Sequence, residues 1–545
     1  MSGVFQKYFR YWHTLRYLKL TQIIKRIQRH FTNISVDLSV QGDLRKNENA
    51  WSQPAKRDQR MVEDKKFCFL HECHIVDNIK SWNNEQWPKL WIYNLHYFDD
   101  LTAVGARQRL IWHRTIIQRW VSENPVGFGN GWEPYPSSLR IVNWIKWSLA
   151  GNHLENLWLH SLAVQVRYLS NNLETHLLGN HLFANAKALL FAGLFFKNNE
   201  AEVWYKIGLN IIKKELPEQV LNDGGNFELS TMYHEIFLED LLDIVNLHRT
   251  FDRDFPASIE LVIPKMLRWL SIMCHPDGEI SFFNDAAIGI TPSVLDLFKY
   301  AKRLGFETSK PEVGLIELPD SGYSRIEEDE AVILIDRAAV GPDYLPAHAH
   351  ADTLSFELSL FGRRVIVNSG TSVYGTGADR HQQRSTAAHS TVVLDGENSS
   401  EVWGGFRVAR RAKVYTSDIQ RGEGLVVSGC HDGYKRLPGR PTHCRIWNYF
   451  NSSLTIHDKI NGCGDHRVEV VFHMHPDVEV DQISKECVTL RIGGHTVKIN
   501  FSGDGSLFLE NSTYHPEFGL SVSNKKLVYC VGHCLPINVA TKITW

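Results

Sequence analysis

Hydrophobic positions recur at helical spacing through the first half of the chain. Leu182, Ala186 and Leu189 follow the i, i+4, i+7 rule of a helix with one buried face, and later segments repeat the pattern. Glycine- and asparagine-bearing stretches such as NPVGFGNGWEPYP and LNDGGNFELS separate these segments. The pattern predicts serial helix–loop–helix units over residues 89–312, arranged as a helical array or toroid.

The period changes near residue 315, where apolar and polar residues begin to alternate. Residues 354–360 place an apolar side chain at every second position, as a half-buried strand does. Further on, two alternating runs flank Gly493 and Gly494, which is a strong signal for a two-residue hairpin. The sequence therefore predicts an antiparallel β-sandwich over residues 313–545, following the helical region.

The first 88 residues are basic and aromatic and then polar. No acidic residue precedes Asp37, and residues 15–27 have a roughly helical spacing of Leu and Ile. Charges interrupt every apolar window, so we expect no secretory signal peptide. Two interpretations stay open: a docking helix with a solvated basic face, or attachment to an anionic membrane surface. Residues 40–66 are polar and are predicted to be a linker or loop.

Composition narrows the class of protein. Of 545 residues, 43% are hydrophobic and 22% charged, which is typical of a globular protein and excludes a disordered one. A net charge of -2 argues against a general nucleic-acid binder. The nine cysteines form no CxxC pair, and their odd number favours reduced thiols and a cytoplasmic location. No apolar run reaches the length of a membrane span.

Polar clusters stand at the ends of several predicted elements. The chain lacks the GxxxxGK[ST] phosphate loop, the GxSxG elbow and the HExxH zinc helix. Instead it has GNH at Asn180 and His181, ELSTMYH ending at Tyr233 and His234, and HAHAD, followed by RHQQRSTAAHST. Ordinary structural roles are the alternative in each case: Asn180 as a helix N-cap, with Ser230 or Thr231 capping the next helix, and Tyr233 as a core residue.

The order of these motifs resembles the heparinase II/III-like polysaccharide lyase family over residues 94–414. GNH, E-x-S-x-x-Y-H, HAHAD and R-x-x-x-R-S-T-A-A-H-S-T follow one another across the helix-to-strand transition. HDGY at 431–434 and FHMHP at 472–476 fit the family as well. The resemblance implies an N-terminal (α/α) toroid, an incomplete barrel, followed by a C-terminal antiparallel β-sandwich. This agrees with the periodicity.

The resemblance also implies catalytic roles. The family's reaction is β-elimination at a 4-linked uronic acid. Asn180 matches the residue that neutralises the uronate carboxylate, as a preorganised amide donor. Tyr233 matches the catalytic tyrosine that protonates the leaving oxygen, and His348 matches the catalytic histidine, a candidate base. His181 and His234 are expected to support substrate binding.

A divalent metal, zinc or calcium, is a further implication of the resemblance. His350 and His389 match two ligands of a structural metal site in the β domain, and Asn368 stands where the family usually has an aspartate. A neutral amide is a poorer zinc ligand than a carboxylate. The alternative is therefore that His350 only forms hydrogen bonds. No organic cofactor is implied.

Aromatic and basic residues suggest a sugar subsite. Flat aromatic rings stack on sugar faces while polar neighbours bind hydroxyls, and arginine clamps anions bidentately. Packing at helix ends, or salt bridges that order a loop, are the competing interpretations. The candidate substrate-binding residues of this kind are His96, Trp132, Tyr135, Arg140, Arg380 and Arg384.

The resemblance implies a lyase that cleaves uronate-containing acidic glycans and, together with the basic N-terminus, a role in the synthesis or modification of a bacterial surface polysaccharide. The expected partner is an acidic polysaccharide, with no nucleic acid, and with peripheral contact to the inner face of a membrane through the basic N-terminus. A noncatalytic glycan-binding or assembly protein of a capsule or O-antigen pathway is the first alternative. A glycoside hydrolase using Glu228 and Glu235 is the second, although the sequence places no carboxylate pair.

Overall fold

The structure, a computed structural model, describes residues 3–31, 35–415 and 423–545. Two N-terminal helices, α1 (Gly3–Leu15) and α2 (Leu20–Phe31), replace the single helical segment that the spacing suggested. The polar stretch 40–66 contains short strands as well as loops. The strands between residues 43 and 75 are β1 (Asp43–Leu44), β2 (Met61–Glu63), β3 (Lys66–Phe69) and β4 (Glu72–Ile75).

Nine helices form the helical region between residues 89 and 303, a stretch that is described without a gap. α7 is buried along nearly its whole length and packs against α5, α8 and α9, so it is the centre of this region. Ser230 caps α9, as expected, by accepting a hydrogen bond from the N–H of Tyr233 at 3.2 Å. The helices are α3 (Lys89–Tyr97), α4 (Leu110–Glu123), α5 (Pro134–Leu149), α6 (Asn156–Ser170), α7 (Gly179–Phe195), α8 (Asn199–Gln219), α9 (Thr231–Thr250), α10 (Ala257–Ile272) and α11 (Val294–Arg303); strand β5 (Phe196–Lys197) pairs with β1.

Two antiparallel sheets form the C-terminal sandwich. The sheet nearer the helices runs in the order β22-β23-β18-β10-β9-β8-β7-β6, with β11 also paired to β18. Its strands are β6 (Gly314–Leu318), β7 (Tyr323–Glu328), β8 (Ala331–Asp336), β9 (Phe356–Leu360), β10 (Arg363–Val367), β11 (Val392–Leu394), β18 (Asp465–Met474), β22 (Ser506–Tyr514) and β23 (Val522–Cys534).

The second sheet runs in the order β14-β15-β16-β17-β24-β21-β20-β19. Gly493 and Gly494 join β20 to β21 with Ile492 paired to His495, which confirms the predicted hairpin. Its strands are β14 (Val414–Tyr415), β15 (Leu425–His431), β16 (Thr442–Tyr449), β17 (Ser453–Asn461), β19 (Glu479–Ile483), β20 (Cys487–Ile492), β21 (His495–Ser502) and β24 (Ile537–Thr544); α12 (Ala378–Gln383), β12 (Val402–Trp403) and β13 (Arg407–Val408) lie in the connections.

Side chains alternate across β8 to build both faces of the first sheet. Ile333 and Ile335 point into the sandwich core, whereas Val332 and Leu334 pack against a toroid cluster that includes Trp269. Both faces of this sheet are therefore buried, and the helical and β regions share an apolar interface. The loops at the edge of this interface carry the candidate site.

Two disulfides correct the expectation that all thiols are reduced. Cys68 pairs with Cys73 across the β3–β4 hairpin, and Cys430 pairs with Cys444 across β15 and β16. In each case the strand register places the two cysteines directly opposite each other, a relation that their spacing along the sequence does not reveal. Five other cysteines are free.

Candidate active site

A tyrosine and a histidine from different regions meet at the junction. Tyr233, in the first turn of α9, and His348, in the loop between β8 and β9, have ring centroids 3.9 Å apart. Both side chains are largely buried, with 7% and 8% of their surfaces exposed. The Tyr233 hydroxyl lies 2.9 Å from the hydroxyl of Tyr374. A phenol and an imidazole from opposite sides of the junction thus share one small polar site.

Asp285 connects this pair to the β domain. Its Oδ2 accepts hydrogen bonds from His348 Nδ1 at 2.9 Å and from Arg380 Nη2 at 2.7 Å, while its Oδ1 accepts from His350 Nε2 at 2.8 Å. Burial opposes ionisation of Asp285, but Arg380 and the donors from His348 and His350 hold its pKa well below the usual range. Asp285 is therefore a buried carboxylate that fixes two imidazoles.

This contact sets the tautomer of His348. A carboxylate only accepts hydrogen bonds, so Nδ1 of His348 carries the proton and donates it to Asp285. In the neutral ring, Nε2 then has a free lone pair. Nε2 lies 3.7 Å from Oε2 of Glu228, a buried atom without a hydrogen-bond partner among the described residues. The geometry leaves Nε2 able to accept a proton.

Asn180 approaches the same carboxyl group from the toroid side. α7 begins at Gly179 with Leu178 as its N-cap residue, so Asn180 is not the cap that one interpretation of the sequence suggested. The backbone N–H of Asn180 donates to the Glu228 carboxyl group, whose pKa is raised, mainly by burial. The half-buried side-chain amide of Asn180 makes no hydrogen bond to any residue that the structure describes. It remains available to a ligand.

The backbone conformation is unusual next to the residues of the site. Leu178, Leu229 and Asn284 all have positive φ, between 57° and 66°, a region that non-glycine residues seldom adopt. Each lies within two residues of Asn180, Glu228 or Asp285. Gly179 has φ +56°, and a Cβ there would approach a Leu345 methyl to 2.4 Å. Such outliers cluster at functional sites, where the surrounding packing maintains them.

His181 and Tyr135 stand beside Asn180. Their rings are 4.6 Å apart, and His181 Nδ1 lies 3.0 Å from Oε1 of Glu174. Burial disfavours protonation of His181, but the charge of Glu174 and its hydrogen bond raise the pKa of the imidazole overall. Both side chains are only half-buried. Contact of these two side chains with substrate stays a prediction.

Four other predicted contact residues lie in the toroid interior. His234 is bound to the Met266 carbonyl and stacks on Trp269, and burial lowers its pKa to about 3. The other three are His96, Trp132 and Arg140; Arg140 donates to Gln165, and its guanidinium lies over the Trp120 ring. These side chains support packing and do not reach a cleft.

Arg380 and Arg384 are also buried. Arg380 engages both oxygens of Asp285 and donates to the Gly405 carbonyl, so no edge of its guanidinium is left for an anionic sugar. Arg384 donates to the carbonyl of Ala349, and burial lowers its pKa to about 9. The alternative interpretation, in which these arginines order a loop, fits their positions.

The three candidate metal ligands do not assemble as a set. His350 Nδ1 and His389 Nε2 face each other at 3.1 Å, but Asn368 is committed elsewhere. Its Oδ1 accepts from the N–H of Ser390, and its Nδ2 donates to Ser355. Among the described residues, no group of three or more His, Cys, Asp or Glu side chains is arranged to hold a metal ion. The residues present therefore do not fit the implied metal.

Three residues of the site were not predicted as such. Glu228 appeared only as a possible hydrolase carboxylate, and Asp285 and Tyr374 did not appear. Asp285 carries one signal, since it is an acid inside the apolar run FFNDAA, where a buried charge requires partners. Tyr374 packs on Phe406 and on the Arg380 guanidinium, which closes the site opposite Tyr233.

Fold and site together define a class of two-domain proteins, a helical toroid followed by an antiparallel β-sandwich, with the site at the junction. Solved structures share this fold. A heparinase III structure superposes with a TM-score of 0.68 at 17% identity, over 87% of this chain and 79% of that one. The heparan sulfate lyase HepC from Pedobacter heparinus gives 0.59 at 20% identity, over 88% and 81%.

Sequence comparison identifies the family. Residues 144–306 match the family model described as Heparinase II/III N-terminus, and residues 310–545 match the one described as Heparinase II/III-like, C-terminal. The chain belongs to the heparinase II/III-like family.

Named relatives are similar over part of their length. The chain is 31% identical over 245 residues to a heparin-sulfate lyase of Bacteroides stercoris, which is 40% of this chain and 36% of that protein. It is 26% identical over 264 residues to the heparin-sulfate lyase of Pedobacter heparinus, which is 44% and 39%. The matched stretch therefore spans well under half the length of these relatives.

Proposed function

We propose that this protein is a polysaccharide lyase that cleaves an acidic, uronate-containing glycan by β-elimination. The observation that carries the proposal is the contact between the rings of Tyr233 and His348. Asp285 fixes the tautomer of this histidine. The family membership and the heparin-sulfate lyases among the relatives support the same reaction class.

Asn180 binds the uronate group in this proposal. Its free amide donates hydrogen bonds to the sugar carboxylate, and these strengthen as enolate character develops on removal of the C5 proton. The raised pKa of Glu228 favours the neutral form of this carboxyl group. The less this carboxyl group is charged, the less it repels an anionic sugar beside Asn180.

His348 and Tyr233 divide the proton transfers. Nε2 of His348 takes the C5 proton, the electron pair forms the C4–C5 double bond, and the bond from C4 to the leaving O4 breaks. Tyr233 gives its proton to that oxygen. Burial, together with Tyr374 and Asp285, raises the pKa of Tyr233 well above 10, so the phenol is protonated and suited to act as the acid.

The test is the ultraviolet absorbance of the conjugated product. Purified protein is incubated with a panel of polymers that includes heparan sulfate, heparin and alginate, and Tyr233→Phe and His348→Ala are compared with the wild type. We expect each variant to lose about 10²–10⁴-fold in rate. Tyr168→Phe is the matched control, since Tyr168 packs on Trp132 within the toroid, and its rate is expected to stay unchanged.

The rival functions give different results in the same experiment. A noncatalytic glycan-binding protein would bind a polymer without producing absorbance, and Tyr233→Phe would not change its binding. A hydrolase would produce reducing ends without a double bond. Glu235, one carboxylate considered for hydrolysis, is buried and bonded to Thr291, and burial raises its pKa to about 8.

The biological setting is part of the proposal. We infer that the glycan is a bacterial surface polysaccharide, a context supported by the basic N-terminal helices and tested by including the host's own surface glycan in the panel. The sequence placed the protein in the cytoplasm, but the two disulfides favour a compartment where such bonds persist. We therefore propose an oxidising compartment, which a count of the free thiols tests.

A further inference from the structure

The N-terminal helices present an apolar surface to solvent. In α2, Leu20, Ile27 and Phe31 are 70%, 54% and 85% exposed, and Ile23 and Ile24 are exposed too. These residues share one side of the helix, because they recur at intervals of three and four. In α1, Tyr8, Phe9, Trp12 and Leu15 are likewise exposed. We call these nine side chains the N-terminal apolar surface.

α2 contacts the rest of the protein through polar side chains and leaves its apolar side to solvent, which reverses the usual orientation of a surface helix. Gln22 is buried and donates to the Tyr344 carbonyl at 3.4 Å, and Arg29 Nη1 lies 2.8 Å from His176 Nε2. α1 behaves similarly, since Thr14 accepts a hydrogen bond from Trp403. α2 is thus held by its polar side, whereas α1 is held by Thr14 together with the ring of Tyr11, which lies 5.0 Å from that of Trp403. An exposed patch of this kind marks an interaction site.

The positive charge of the two helices indicates which kind of partner covers the N-terminal apolar surface. Residues 3–31 contain no Asp or Glu and seven Lys or Arg side chains. Lys7, Lys25 and Arg26 contact no acidic side chain among the residues that the structure describes, and Lys25 and Arg26 lie on either side of the apolar face of α2. An apolar face with Trp, Tyr and Ile, flanked by cations, fits the boundary between anionic headgroups and acyl chains.

We propose that α1 and α2 dock the protein onto the surface of an anionic phospholipid bilayer. No helix among the described residues is both long and apolar enough to cross a membrane, so the contact is at the surface. A second copy of the chain is a poorer occupant, since a symmetric contact would bring the same cations together. The proposal goes beyond the lyase reaction and does not depend on it.

The test is sedimentation of the full-length protein with lipid vesicles. Phosphatidylcholine vesicles containing phosphatidylglycerol are compared with vesicles of phosphatidylcholine alone, at low and high salt. We expect the protein to pellet with the anionic vesicles, and added salt to weaken binding by screening the cations. Lys25→Glu with Arg26→Glu should abolish the preference for phosphatidylglycerol.

Removing apolar groups tests the other half of the proposal. Ile24→Gln with Ile27→Gln should weaken vesicle binding at least about tenfold, the effect expected from withdrawing one large aliphatic group from the interface. The matched control is Ile111→Gln with Leu261→Gln, which removes side chains that are 78% and 70% exposed on α4 and α10. Because all four are exposed, both variants should fold, as circular dichroism will check.

Several results would overturn the proposal. The wild type could remain in the supernatant with both kinds of vesicle, or the control variant could lose as much binding as the test variant. Equal binding to neutral and anionic vesicles would contradict the proposed attraction between the cations of α1 and α2 and anionic lipid headgroups. Light scattering that shows a dimer, dissociated by Ile24→Gln with Ile27→Gln in the absence of vesicle binding, would assign the surface to a second copy.

Discussion

Replacing Asp285 with Asn is the perturbation with the largest predicted effect. The carboxylate is fully buried and accepts hydrogen bonds from His348, His350 and both terminal nitrogens of Arg380. Asparagine keeps the shape but removes the charge, so Arg380 becomes a buried cation without a counter-ion. Breaking a buried pair in this way costs about 3–5 kcal/mol of unfolding free energy.

A second buried acid provides the control. Asp336 is also buried, but burial and the neighbouring Asp352 raise its pKa well above the usual range, so folding favours its protonated form and no cation among the described residues is paired with it. Its Oδ1 accepts one hydrogen bond, from the N–H of Ala338. An amide oxygen can replace that acceptor. We therefore expect Asp336→Asn to cost less than about 1.5 kcal/mol.

The assay is denaturant unfolding of both variants together with their kinetics and pH dependence. The pKa of Asp285 is depressed in the folded protein, so its contribution is present above the unfolded pKa and lost only as the pH falls through the folded value. The deficit of Asp285→Asn should thus be constant over about pH 5 to 8. We expect kcat to fall about 10²–10⁴-fold, with little change in KM, because His348 loses its fixed tautomer.

The reasoning would be refuted if Asp285→Asn unfolded like Asp336→Asn. It would also be refuted if Asp285→Asn turned over substrate at close to the wild-type rate.

Four further predictions concern other parts of the molecule. Thiol titration of the denatured, unreduced protein should find five free thiols of nine cysteines, and a count of nine would contradict the disulfides and the oxidising compartment. Glu174→Gln should destabilise the protein by about 0.2–1 kcal/mol below pH 6.5, as measured by denaturant unfolding. This loss of stability should become smaller as the pH rises through the raised pKa of His181, because the imidazole then loses its charge. A loss of stability that grew with pH would contradict the pairing of Glu174 with His181. Tyr374→Phe should lower kcat about tenfold, because Tyr233 loses its hydroxyl partner, and steady-state kinetics with an unchanged rate would remove Tyr374 from the site. Treatment with a chelator should leave the melting temperature and rate unchanged, whereas metal analysis that found one tightly bound ion per chain would show that Asn368 does not prevent binding.

Local chemistry explains which parts of the fold could be predicted. The Gly493–Gly494 hairpin depends on two adjacent residues that tolerate positive φ, and the Ser230 cap depends on one hydroxyl near its own helix. Both are determined within a few residues, so the sequence predicts them. The same is true of the change from helical to strand spacing near residue 315.

The remaining features depend on contacts between distant parts of the chain. Asp285 joins His348, His350 and Arg380 only after the toroid and the sandwich have packed together. Asn180 looked like an N-cap because the positive φ of Leu178, which lets the helix start two residues earlier, at Gly179, leaves no clear mark in the sequence. Arg380 looked like a sugar clamp because its buried partner lies 95 positions away.

The most direct test of the central claim, that Tyr233 and His348 carry out an elimination, is mass analysis of products formed in oxygen-18 water. Elimination adds no water across the broken bond, so the account predicts one fragment with the mass of an unsaturated sugar and no oxygen-18 in either fragment beyond the exchange at reducing ends that the same sugars show without enzyme. These products should disappear with Tyr233→Phe and persist with Tyr168→Phe. Fragments that contain more solvent oxygen at the cleaved bond than this exchange supplies, or the same product yield from Tyr233→Phe, would contradict it.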